Sequence, residues 1–132
     1  MAHIEWDNAL YSVKIDEFDN HHKRIVDYIN ELHSAMMVGK GKEALHEILH
    51  QLKEYTQYHF KAEEEKMIDA NYPFLEEHKK EHRKLIQMLT DRMKDYEKGS
   101  MEVSVDTFKF LKQWLFDHIQ GTDRKYTSYL KN

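Results

Sequence analysis

The sequence predicts an all-α fold, an antiparallel up-down-up-down four-helix bundle with an extended N-terminal arm. Three observations carry that prediction. Only one Pro and four Gly occur in 132 residues, whereas strand-rich domains need a turn signal roughly every ten residues. Those few breakers fall between long stretches free of them. Within each stretch the apolar residues recur at the helical period, leaving one apolar stripe per helix. Short connections between such helices favour antiparallel neighbours. The chain is read as a single domain over residues 1–132, and folding at this size buries roughly two thirds of the unfolded surface, enough for one core.

The arm occupies about residues 1–18 and is mixed throughout. It lacks the basic start and apolar run of roughly 7–15 residues that a signal peptide needs. The first helix is expected over residues 19–38, with Phe18, Ile25, Ile29, Leu32 and Met36 on one face. Gly39 and Gly41 bracket the turn to a second helix at 42–66, whose stripe is Leu45, Ile48, Leu49, Leu52, Thr56, His59 and Glu63. Asn71 and Pro73 form a start signal for a third helix at 72–97, with Leu75, His78, His82, Leu85, Leu89 and Met93 inward. Gly99 and Ser100 close it, and a fourth helix at 104–120 turns Phe108, Leu111, Leu115, His118 and Ile119 to the core. The seam of the bundle therefore contains histidines.

Composition narrows the chemistry. Ten histidines occur with no cysteine, which excludes a disulfide framework, a thiolate zinc site, an iron–sulfur cluster and thiol catalysis. The net charge of −4 and pI of about 6.2 lack the basic footprint that nucleic acid requires. No stretch approaches the roughly 18–20 apolar residues of a membrane span, and the mean hydropathy is −0.87. A soluble, cytoplasmic protein without nucleic-acid or membrane partners is expected.

An unpaired polar group on an apolar stripe costs on the order of 1–3 kcal/mol, so the inward histidines need partners. His59 with Glu63, and His78 with His82, stand four residues apart, about 40° apart on one helix face, and each pair can grip one metal. Asp123 is five residues beyond His118, about 140° away on an ideal helix. The two converge only if the helix is distorted, as by a π-bulge near Gly121 and Thr122. On the first helix His21 and His22 flank the stripe about equally, and the wheel does not choose between them.

Other pieces read differently. Glu43-x-x-His46 and Glu47-x-x-His50 mimic the ExxH motif of ferritin-like di-iron proteins, but that site needs one motif on each of two helices. These share one helix and are expected on its solvated face. His3 and His33 read as surface or rim residues, and Glu64 and Glu65 as solvated. Tyr55, Tyr58, Tyr72, Tyr96, Tyr126 and Tyr129 read as core-edge packing, and Trp6 as a cover for one end of the bundle.

Together, Trp6, FDNHHKRI, HFKAEEE, HKKEH and WLFDHIQGTD resemble the stand-alone bacterial members of the hemerythrin family over nearly the whole chain. The combined order H, HxxxE, HxxxH, HxxxxD is highly specific, although each piece alone is not. The resemblance implies a non-haem di-iron centre with an oxo or hydroxo bridge. One iron would be held by His78, His82 and His118, and the other by His22 and His59, with Glu63 and Asp123 bridging. His22 is selected because it matches the ligand position of the family motif. His21 stands where the family usually has Gln. Two six-coordinate irons then keep one open position, on the iron with two histidines, where the resemblance implies dioxygen binds.

Phe60, Trp114, Leu115 and Ile119 are expected to line a dry pocket beside that position. It holds no Ser, Lys or further carboxylate obviously placed to pass protons, which favours binding over turnover. The leading expectation is a non-enzymatic carrier that stores, transports or delivers dioxygen. Its rivals are a di-iron oxidoreductase acting on peroxide, nitric oxide or ferrous iron, and a sensor acting through a separate partner. A monomer is expected from the likeness to bacterial members.

Overall fold

The structure, a computed structural model, describes residues 4–39, 42–97 and 103–130. The arm is not wholly extended as expected. Asp7 accepts a hydrogen bond from the Ala9 amide and so caps a single helical turn, α1 (Asn8–Tyr11). The first long helix, α2 (Asp16–Met37), starts three residues before the expected position. Asp16, Glu17 and Asp19 fill its first turn, where negative charge complements the helix dipole. Asp19 also accepts from the Val13 amide at 2.8 Å and the Ser12 hydroxyl at 2.6 Å, fastening the arm to the helix. At the other end Gly39 takes φ +71°, a left-handed position that glycine occupies without Cβ strain.

Helix α3 (Lys42–Asp69) runs three residues past its expected end. Asn71 then adopts a left-handed conformation, φ 54°, so it terminates α3 instead of opening the next helix. Pro73 falls in the intervening turn, and α4 (Leu75–Glu97) begins two residues beyond it. Gly41, Gly99 and Ser100 lie outside the described residues. Helix α5 (Val103–Asp117) continues into a π-helical turn at His118–Thr122 and a 3-10 turn at Asp123–Tyr126.

Helices α2 and α4 each pack against both α3 and α5, which closes a four-helix ring. Its interior is filled by the expected stripes, from Phe18, Ile29 and Leu32 through Leu49, Leu52 and Leu85 to Phe108 and Leu115. Leu75, Met36 and Met93 are only partly buried at the rim. The arm crosses the site end of the ring. Thr127 donates to the Val13 carbonyl at 2.9 Å, Arg124 donates to the Ala9 and Leu10 carbonyls, and Ile4 exchanges two 2.8 Å bonds with Asn30. Trp6 is partly buried on Tyr11, with the Lys23 ammonium over its ring.

His33 corrects an expectation: it is buried, with its ring 4.7 Å from Phe108, and not at the surface. Its position next to Leu32 on α2 brings it against α5, which closes over that side. His50 is exposed and pairs with Glu54, while His46 is half-buried. His3 lies outside the described residues. No helix among the described residues is long and apolar enough to cross a membrane.

Candidate metal centre

The stripes of all four long helices bring polar side chains to one level of the core. His22 comes from α2, His59 and Glu63 from α3, His78 and His82 from α4, and His118 from the start of the π turn that continues α5. Asp123 is added by the π turn. That wider turn takes up the excess rotation of the five-residue step from His118 and returns Asp123 to the inward face. All seven are 4% exposed or less.

Their facing atoms form two overlapping groups. Glu63, His78, His82, His118 and Asp123 offer donor atoms within 4.8 Å of one another, and so do His22, His59, Glu63 and Asp123. The two carboxylates belong to both. Asp123 presents Oδ1 to His78 and His118 Nε2, each at 2.9 Å, and Oδ2 to His22 Nε2 at 3.0 Å. Glu63 Oε1 stands 3.2 Å from His59 Nε2 and 3.3 Å from His82 Nε2.

These distances look like ion pairs, yet none of the atoms has a hydrogen-bond partner of acceptable geometry. The five Nε2 atoms, Glu63 Oε1 and both Asp123 oxygens are buried and unsatisfied. A cluster of buried polar atoms normally hydrogen-bonds within itself. Atoms that approach closely without aligning are instead aimed at points between them, as metal ligands are. The donor set is imidazole nitrogen and carboxylate oxygen with no sulfur, which suits iron, manganese or zinc. The residues therefore fit a metal centre.

Charge on these side chains follows the same packing. Burial pushes the Glu63 carboxyl up and Asp123 adds to that, but His59 and His82 outweigh both and hold it well below the usual range. Burial likewise opposes ionisation of Asp123, and His118, His22 and His78 overcome it. Burial lowers His59 to about 4. Burial also acts against His82, but Glu63 and Glu64 raise it to about 9.

Periodicity missed the partners outside the donor ring. Tyr126 is not core-edge packing: it is fully buried, and its hydroxyl donates to Glu63 Oε2 at 2.6 Å. Glu64 is half-buried, not solvated, and its Oε2 lies 2.8 Å from His82 Nδ1. His21 is buried beside His22 but stays outside both donor groups, with its Nδ1 2.7 Å from His59 Nδ1. Glu65 is exposed. Beside the centre, Phe60, Trp114, Leu115 and Ile119 line one small cavity with Ile25 and the rings of His22, His59 and His118. Phe60 stacks on His82 at 3.7 Å and Trp114 on His118 at 4.5 Å.

Four helices around a buried cluster of five imidazoles and two shared carboxylates define a non-haem metal-binding bundle. Comparison with known proteins gives the family. Residues 13–130 match the model of the hemerythrin HHE cation binding domain. A bacteriohemerythrin of Pseudomonas aeruginosa is 37% identical over the whole chain, covering 84% of that relative. The bacteriohemerythrin of Methylococcus capsulatus is 35% identical over 96% of this chain and 95% of its own length. A crystal structure of wild-type hemerythrin superposes with a TM-score of 0.91 at 33% identity, over 99% of this chain and 100% of that one. The chain belongs to the hemerythrin family, and its His/Glu/Asp cluster is a hemerythrin-type metal site.

Proposed function

We propose that this protein binds dioxygen reversibly at a carboxylate-bridged di-iron centre and acts as a carrier or store, not an enzyme. The observation that carries this reading is the pair of overlapping donor groups that share Glu63 and Asp123. His78, His82 and His118 would hold one iron, His22 and His59 the other, and the two carboxylates would bridge. When bound, the two ferrous ions supply the electrons that dioxygen takes up and returns on release.

The chain's own residues create the setting. The two-histidine group offers one imidazole fewer, and the small cavity borders both of its rings. Phe60, Leu115 and Ile119 are buried there, and their carbon surfaces keep water from the site, which disfavours escape of a charged oxygen species. Tyr126 occupies Glu63 Oε2 and leaves Oε1 to face the metal side. The names of the bacteriohemerythrin relatives support the same reading, and we place the protein in the cytoplasm as a monomer.

Purified protein is reduced without oxygen, exposed to air and degassed while its spectrum and iron content are followed. Two irons per chain, a charge-transfer band that appears in air and its loss on degassing are expected. Irreversible oxidation within seconds, with release of hydrogen peroxide, would overturn the carrier reading in favour of an oxidoreductase.

A further inference from the structure

The two halves of the centre differ in what stands behind their ligands. A histidine that gives Nε2 to a metal carries its proton on Nδ1, and the partner of that N–H sets ring orientation and donor strength. Behind His82 the partner is a carboxylate, Glu64 Oε2 at 2.8 Å. Behind His59 it is another imidazole, His21 Nδ1 at 2.7 Å.

That contact fixes both tautomers. Since His59 presents Nε2 to the donor group, its Nδ1–H must donate and His21 Nδ1 must accept. The proton of neutral His21 then sits on Nε2, the atom 3.9 Å from the exposed Glu17 carboxylate. The His21 ring is held for this task by Phe18, Tyr55 and Tyr58, with centroids at 6.0, 5.9 and 5.3 Å. A carboxylate acceptor draws the N–H proton strongly and makes the imidazole a better donor, whereas a neutral imidazole does so less.

We propose that His21 is a positioning residue that adds to the inequality of a centre whose His22 and His59 group already has one imidazole fewer: it orients His59 without charging it, so the metal held there is bound more weakly than a carboxylate partner would allow and is the more readily exchanged. The inference rests on the two-metal reading above. It assigns His21 a role distinct from that of its neighbour His22, which faces the centre directly.

The test uses the full chain loaded with Zn2+, which is redox-silent, and follows metal release to a chelator. Wild-type protein should hold two zinc ions and release them in two phases. His21→Leu should weaken the first-released ion by about 10–100-fold and leave the second unchanged. His21→Gln, whose amide oxygen also accepts, should stay within about threefold of wild type, and His21→Glu should hold the first ion more tightly, a small fraction of the His21→Leu scale. Glu64→Gln should affect the slower phase instead. Equal shifts of both phases in His21→Leu, no shift at all, or weakening in His21→Glu would overturn the proposal. If His21→Leu does not fold, the Glu variant decides it: tighter binding of the first ion supports the proposal, and unchanged or weaker binding overturns it. If wild-type protein binds one zinc ion, the two-metal reading fails by itself. The inequality falls with it, and the positioning of His59 by His21 is then decided separately by nitrogen-15 scalar coupling between His21 Nδ1 and His59 Nδ1 across their hydrogen bond, whose absence sinks that role too.

Discussion

Tyr126→Phe isolates one hydrogen bond with little change of shape. The ring packs between Phe18 at 5.8 Å and His78 at 5.7 Å, contacts that phenylalanine keeps. What disappears is the hydroxyl that donates to Glu63 Oε2 at 2.6 Å, where both residues are fully buried. A hydrogen bond to a charged group contributes about 1.5–3 kcal/mol, and here no water can replace the donor. For a chain of this size each kcal/mol moves the melting temperature by about 3–5 °C, so the variant should melt roughly 5–15 °C lower. Thermal unfolding of chelator-treated protein measures this without a contribution from metal. The pH response gives a second reading. Glu63 is held well below the usual carboxylate range, so its stabilisation is present above the unfolded carboxyl pKa and is lost as pH falls through the folded value. Without the phenol the folded value rises, and acid unfolding should begin at higher pH. A loss under about 0.5 kcal/mol together with an unchanged acid transition would refute the reasoning, because that is the scale of a neutral surface change.

Metal removal should itself lower the melting temperature by about 10–20 °C, since a ligand present at a thousand times its Kd stabilises by about 4 kcal/mol; coincident melting curves with and without chelator would contradict this. Asp123→Ala and Glu63→Ala should each reduce iron to one per chain or none by elemental analysis, and two full-strength irons in either variant would defeat the bridging assignment. Leu115→Ala, at a residue 1% exposed, should cost about 2–5 kcal/mol, and by opening the cavity beside His22 and His59 it should speed autoxidation in the air-cycling spectrum. Metal-free protein should be most stable near pH 6.5. His82, raised to about 9, contributes stability that is present below 6.5 and lost as pH rises through 9; His59, lowered to about 4, withdraws stability as pH falls from 6.5 to 4. Urea titrations across that range, if they showed stability climbing steadily to pH 9, would rule out the charged His82.

Periodicity reports which side of a helix faces inward, and on that question it served well. Thr56, His59 and Glu63 share the buried stripe of α3 with Leu45, Leu49 and Leu52, and the i,i+4 pairs on α3 and α4 follow from the same rule. It says nothing about what meets a side chain from another element. Glu64 is one residue off the stripe, yet it reaches His82 on α4. His21 and His22 are both buried, and only the elements that meet them separate the two: α3 sets His59 Nδ1 against His21, and the C-terminal 3-10 turn sets the carboxylate of Asp123 against His22. His33 is hidden by α5, whose position no local pattern encodes.

The C-terminal segment explains why an irregular stretch serves this centre better than a longer helix. A regular α-helix would turn a residue five positions beyond His118 about 140° away from it, so Asp123 would face away from the centre. The π turn delays Asp123 by one residue and brings it under the junction of the two groups, where Oδ1 meets His78 and His118 while Oδ2 meets His22. The chain then tightens into a 3-10 turn, and three residues later Tyr126 reaches the other shared carboxylate, Glu63. Arg124 and Thr127, on the outer side of the same turn, hold the arm. One short segment thus supplies a shared carboxylate, fixes the second and closes the end of the bundle, so the local departure from helical geometry is tied to the centre itself.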